Sequence, residues 1–220
     1  MKRVRSLLFE ACADISCSFS RNAGKETSNG TIRGVFETSP EQTLVLLIDF
    51  KTDGHRQYPH VQTQLEPLRS RNYLSFWQDG GFNSRAITVV ASGKAPYDLI
   101  AAESGKREIF YDAPLPKLRT GDWNSSTSYY ASTSFKASIG APRTGRISHA
   151  QLGKIREQVR AAKERGLKAR YWDIPSWPVS LRNHIWQVLV KEGADILNVD
   201  DLYAAAYSHW NKVAHGWFDG

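Results

Sequence analysis

Cysteine is scarce in this chain: Cys12 and Cys17 are the only two among 220 residues. With no further cysteine and no histidine pair nearby, they make neither a zinc-ligand pattern nor a disulfide framework, and they are read as structurally incidental. Long apolar runs are also missing, since no stretch approaches the ~18–20 residues that span a bilayer. Lys2, Arg3 and Arg5 precede a short apolar Leu7-Leu8-Phe9, but Glu10 and Asp14 interrupt it, so no export signal is expected and a cytoplasmic location is the default. Basic runs are absent too. The 29 basic and 22 acidic residues leave a formal charge of +7, which favours anionic partners, yet no cluster of five Lys/Arg marks a nucleic-acid arm. A nucleic-acid partner is therefore not expected.

What remains is ordinary globular material, 41% hydrophobic and 23% charged, enough for one sizeable domain. Residues 1–30 read as an N-terminal helix over Val4–Ile15 followed by a polar, turn-rich loop (SRNAGKETSNG). Residues 31–210 read as the folded body and 211–220 as a tail. After Pro40, the apolar stretch in Leu44–Gly54 has the character of a strand covered on both faces. A helix is expected from Pro59 to Leu68, a strand over Ala86–Gly93, a helical turn from Pro96 to Ala102, and strands over Glu108–Pro114 and Tyr129–Phe135. Further on, Ser148-x-x-Gln151 has the form of a capping box before the stripe Leu152, Ile155, Val159 and Ala162, and Gly166 stops that helix. A strand over Leu167–Pro175 follows, then a helix opened by Pro178 with Leu181, Ile185, Val188 and Leu189 on one side. A strand over Ala194–Asp201 and a helix to about Trp210 complete the chain. Strand–helix alternation of this kind implies parallel strands and an α/β fold. The strands are too few for an eight-stranded barrel of ~250 residues, so a TIM-barrel-type sheet, incomplete at its N-terminal side, is expected.

Residues two apart on a strand share a face, so Asp49 and Lys51 should project together at the C-terminal end of a buried strand, where an unpaired charge would be unfavourable. Acidic and polar groups recur where other strands end: Ser92-Gly93, Asp112, Trp172-Asp173, Asn198 and Asp200. With the cations Lys51 and Arg170 they form the kind of set that a hard divalent metal and a phosphate require. A structural ion pair at Asp49–Lys51 accounts for the same spacing. The six histidines form no ligand pair at helix or strand spacing. His149, His184, His209 and His215 are read as surface or packing groups, and Trp177 as a group at the site mouth, facing core, substrate or membrane interface.

The segments LLIDFKTDG, ITVVASGKAP, IFYDAPL, YASTSFKASIG and GLKARYWDIPSWPVSLRNHIWQVLVKEGADILNVDDL, between about Thr31 and Asp201, closely resemble the fungal altered inheritance of mitochondria protein 6 family. That family is similar to phosphatidylinositol-specific phospholipase C, glycerophosphodiester phosphodiesterases and sphingomyelinase D, which are TIM-barrel enzymes. The resemblance implies a phosphoric diester hydrolase of lipid or glycerophosphodiester metabolism, with Mg2+ or Ca2+ on Asp49, phosphate on Lys51, Trp172 against substrate and Asp173 nearby. Asn198 and Asp200 match the end of the last strand. Enzymes of this kind also carry two histidines and a Glu-x-Asp pair before the strand of Asp49, whereas residues 1–43 contain no histidine. Activity of this chain alone is accordingly expected to be weak or absent, and the N-terminal catalytic part of the barrel is read as missing from it.

Two other classes fit parts of the pattern. A non-catalytic partial barrel could keep a pocket for a phosphate or lipid headgroup, and its open sheet edges would invite self-association. A glycoside hydrolase would need two of Asp49, Asp112, Asp173 and Asp200 at a defined separation.

Overall fold

The computed structural model describes residues 34–36, 39–142, 145–208 and 210. The expected helix over Val4–Ile15, the loop at residues 20–30, Cys12, Cys17 and the tail from 211 lie outside the described residues. The chain forms two compact units, Met1–Phe110 and Tyr111–Gly220.

In the first unit, β1 (Leu44–Phe50) is parallel to β4 (Ile87–Gly93), in unbroken register from Leu44↔Ile87 to Phe50↔Gly93. The connection between them holds α1 (Gly54–Gln64), α2 (Glu66–Arg69) and a hairpin of β2 (Phe76–Gln78) and β3 (Gly81–Asn83). Helix α1 begins five residues before the expected Pro59, because Asp53 caps it by accepting from the Arg56 N–H at 3.3 Å. Pro59 sits inside the helix at an exposed position, where water can meet the carbonyl that lacks its N–H. Leu65 ends the helix, and Pro67 falls at the start of α2. The hairpin was not among the expected elements. Its two turn residues, Asp79 and Gly80, have φ of 53° and 77°, the pair of positive angles that a tight two-residue turn needs. Helix α3 (Tyr97–Ala102) ends over the buried Arg107, whose guanidinium donates to the carbonyls of Ile100, Ala101 and Glu103 at 2.9, 3.1 and 2.7 Å.

Strand β5 (Ile109–Pro114) enters the second unit at Tyr111. There it pairs in parallel with β6 (Ser128–Ser134), β6 pairs with β7 (Lys168–Trp172), and β7 pairs with the short β8 (Ile196–Leu197). The strand expected over Ala194–Asp201 is cut short at its start because the Asp195 carboxylate takes the Ala169 N–H at 2.9 Å, a place a backbone carbonyl would otherwise fill. The helices are α4 (Phe135–Ser138), α5 (His149–Glu164), α6 (Val179–Lys191) and α7 (Leu202–Ala206), the last stopping short of Trp210. Helix α5 opens with both halves of the capping box between Ser148 and Gln151 in place. Ile155, Val159, Ile185 and Leu189 from α5 and α6 meet Ala131, Ala169 and Tyr171 from β6 and β7 in one core. The six strands β1 and β4–β8, alternating with helices and parallel in these pairings, define an α/β fold of incomplete TIM-barrel type. Among the described residues, no helix is long and apolar enough to cross a membrane.

Candidate functional site

In the first unit the strand ends carry the chemistry. Asp49 is level with Ser92 on β4, and Phe50 with Gly93. Lys51 is the first residue past β1, and its ammonium forms an ion pair with the Asp49 carboxylate. The sequence suggested a buried pair. Instead the side chains are 78% and 45% exposed, so the pair contributes little stability and both groups are open to a ligand. Gly93 has φ of 70°, and a β-carbon there would overlap Asp49 Oδ1 and stand 2.7 Å from the Phe50 carbonyl oxygen. The glycine therefore creates the notch that the Asp49 carboxylate occupies.

As a metal site this offers one carboxylate of the hard-oxygen type that Mg2+ and Ca2+ take. No group of three or more His, Cys, Asp or Glu side chains gathers for a metal among the described residues. Asp53, the other acid of the segment, is engaged as the cap of α1.

In the second unit, Trp172 ends β7 level with Ser134 and is 45% exposed. Asp173 follows with φ of 59°, in the left-handed region that few non-glycine residues adopt. Its carboxylate accepts from the Ser134 hydroxyl at 2.7 Å. The Ser134 hydroxyl oxygen in turn accepts from the Ala137 N–H at 3.0 Å and so caps α4. Trp172 and Asp173 are adjacent in sequence, but only Asp173 is fixed by a side-chain hydrogen bond. Trp177 is 77% exposed in the loop that leads to α6. His184 is a packing group, as the sequence suggested: it accepts from the Ile147 N–H at 3.4 Å, and burial lowers its pKa.

The face of β6 and β7 away from the helices is polar. Tyr130, Ser132 and Ser134 lie there on β6, with Lys168 and Arg170 on β7. Arg170 donates to the Asn198 carbonyl oxygen at 2.5 Å. Burial pushes the Tyr130 phenol well above its ordinary pKa, reinforced by Tyr129 and Asp112, while Arg170 pulls the other way. The serines of this strand were not singled out from sequence. Their every-second-residue spacing in SYYASTS is the signal that was there to find.

Residues 3–112 match the family described as AIM6-like phosphodiesterase domain. The chain belongs to this family. It is 42% identical over 182 residues to the altered inheritance of mitochondria protein 6 homolog of Arthroderma benhamiae, covering 81% of this chain and 57% of that protein. It is 37% identical to the protein of that name from Eremothecium gossypii, covering 83% and 50%. For the Zygosaccharomyces rouxii protein the identity is 31%, over 77% of this chain and 46% of the relative. The chain thus spans about half the length of the curated relatives it matches. No solved structure matches it. The AIM6-like match contains Asp49 and Lys51, whereas Trp172 and Asp173 lie beyond it.

Proposed function

We propose that this AIM6-like chain handles a phosphodiester of lipid or glycerophosphodiester origin, as a phosphoric diester hydrolase of the phospholipase-C-like type. The observation that carries this is the exposed Asp49–Lys51 pair at the C-terminal end of β1, inside the segment that matches a phosphodiesterase domain. Barrel enzymes build their sites at that end of the strands. Lys51 supplies a positive charge for a phosphoryl oxygen, and Asp49 is the carboxylate that would hold Mg2+ or Ca2+. Such an ion, when bound, neutralises charge that develops on the phosphoryl group. Trp172 offers an exposed aromatic surface to substrate, with Asp173 shaping the turn beside it.

Neither Asp49 nor Lys51 supplies the acid–base pair that phosphodiester cleavage uses, so turnover by this chain alone is expected to be slow or undetectable. The test is release of phosphate ester from lysophospholipid or glycerophosphoinositol, with and without Mg2+ or Ca2+. Metal-dependent product that disappears in Asp49→Asn supports the assignment. Robust turnover that survives both Asp49→Asn and Lys51→Met refutes it.

A second reading is favoured by the lone carboxylate at Asp49: a non-catalytic module that binds a phosphate or lipid headgroup. In this reading β1, paired only with β4 among the described strands of the first unit, leaves an edge on which a second copy can add. Sedimentation velocity across a concentration series would show a dimer.

A further inference from the structure

One face of β6 and β7 is packed against α5 and α6 through Ala131, Ala169 and Tyr171. Side chains alternate along a strand, so Ser132 and Arg170, which are register partners, share the opposite face. Packing and pairing do not account for either residue. The Arg170 guanidinium has a neutral partner, the Asn198 amide oxygen at 2.5 Å, and no carboxylate partner among the described residues. Nearby acids are engaged elsewhere: Asp173 accepts from Ser134 at 2.7 Å, and Asp195 accepts from the Ala169 N–H at 2.9 Å. Asp112 is on the same face but on β5, level with Tyr130 and with β6 between it and Arg170. A second cation, Lys168, lies on the same face two residues before Arg170. Its ammonium meets the Tyr129 hydroxyl at 2.5 Å and lies 4.3 Å from the centre of that ring, with no acid in contact among the described residues. Two cations on one partly buried sheet face, with no counter-charge in contact, make that face attractive to an anion.

Ser132 is the second, independent observation. It is 9% exposed, and its Oγ is buried with no hydrogen-bond partner. Buried hydroxyls in folded proteins are nearly always paired, so an unmet one calls for a partner that the described residues do not supply. The Asn198 side-chain amide oxygen holds the guanidinium from one side, and among the described residues its remaining N–H groups are open to form the two-pronged bond that suits phosphate or carboxylate oxygens.

We propose that Arg170 and Ser132, with Asn198 orienting the guanidinium, form an anion subsite on the helix-free face of β6 and β7 that takes a phosphate group, free or on a headgroup. The arginine donates to two oxygens of the anion and the serine hydroxyl to a third, which a tetrahedral phosphate provides and a planar carboxylate does not. The choice of ligand class rests on the phosphate-handling function proposed above, but the geometry does not involve Asp49 or Lys51.

The experiment is a titration of the full chain, isotope-labelled and in metal-free buffer with EDTA, with inorganic phosphate and separately with glycerol 3-phosphate. It is followed by NMR at the Arg170 side-chain Nε–H and the backbone amides of β6 and β7. Saturable shifts at these groups are expected. Arg170→Gln should weaken binding at least tenfold, Arg170→Lys should restore part of it, and Ser132→Ala should weaken it about tenfold, as expected for one hydrogen bond to a charged group. Tighter binding of glycerol 3-phosphate assigns the subsite to an esterified phosphate, and tighter binding of inorganic phosphate to the free ion. Shifts confined to β1, or a wild-type-like response in both Arg170→Gln and Ser132→Ala, overturn the proposal. Since no metal or turnover is involved, hydrolysis that survives both Asp49→Asn and Lys51→Met would overturn the enzymatic assignment while leaving this result standing.

Discussion

The Ser134 hydroxyl donates to the Asp173 carboxylate at 2.7 Å, so the residue that ends β6 holds the residue that follows β7. The same oxygen accepts the Ala137 N–H at 3.0 Å and caps α4. Ser134→Ala removes both bonds. Asp173 is exposed and can exchange its lost partner for water, so most of the effect comes from the cap. A loss of about 1–2 kcal/mol is expected from urea unfolding. Asp173 itself sits at φ of 59°. Asn tolerates that region and still accepts a hydrogen bond, so Asp173→Asn should lie within about 0.5 kcal/mol of wild type, while Asp173→Ala loses about 1–2 kcal/mol.

Gly93 and Gly80 separate two costs. Both have positive φ, 70° and 77°, but a β-carbon at 80 would meet nothing within 4 Å, whereas at 93 it would overlap the Asp49 carboxylate. Gly80→Ala should therefore show the backbone penalty alone, about 1–2 kcal/mol. Gly93→Ala should show that penalty plus displacement of Asp49, and so lose clearly more. Equal losses by urea unfolding would mean that Gly93 does not shape the Asp49 position.

The parts of this molecule that were legible in the sequence are those where local chemistry and tertiary packing agree. Ser148 and Gln151 announce α5, and Ile155, Val159, Ile185 and Leu189 lie where the helical period puts them. Asp49 and Lys51 could be paired from the two-residue spacing alone. Their exposure could not, because an apolar run such as LVLLIDF says how a strand is covered in its middle and nothing about its last residues. The start of α1 was misplaced because Pro59 is the louder signal, yet the Asp53 cap determines the boundary. The missed hairpin had its signal in Asp79-Gly80. β8 was overextended because no local pattern shows that the Asp195 side chain will replace a ladder carbonyl. The polar face of β6 required the register with β7, which is a property of two segments far apart in sequence.

Tyr171 and Gln158 offer a test of the second unit's core. Tyr171 is fully buried, and its hydroxyl donates to Gln158 Oε1 at 3.0 Å, while Gln158 Nε2 donates to Ser138 Oγ at 2.8 Å. Burial pushes the Tyr171 phenol well above its ordinary pKa, so it remains a neutral donor at any working pH. Tyr171→Phe keeps the ring and its packing on Phe135, whose centroid lies 6.3 Å away, but strands the Gln158 oxygen. An unmet buried acceptor costs about 1–3 kcal/mol. Denaturant unfolding should show that loss with an unchanged m-value. A neutral result would mean that Gln158 has another partner.

His55 and Asp98 join α1 to α3 through Nε2 and Oδ2, 2.9 Å apart, both largely exposed. The hydrogen bond to Asp98 raises the pKa of His55 above 6.5, aided by the charges of Asp98 and Asp53, and the same bond lowers that of Asp98 below 3.8. The two shifts act on stability in opposite directions of pH. A histidine whose folded pKa is raised contributes fully below its unfolded value, and that contribution is lost as pH rises through the folded value. A carboxylate whose folded pKa is lowered contributes above its unfolded value, and that contribution is lost as pH falls through the folded one. The pair is therefore complete only between the unfolded pKa of the acid and that of the histidine, and it weakens on either side. Because the groups are exposed, salt should screen the interaction. NMR titration of the His55 ring should give a pKa above 6.5 at low salt that moves back toward 6.5 at high salt and in Asp98→Asn. A His55 pKa unchanged by Asp98→Asn would show that the contact does not form in solution.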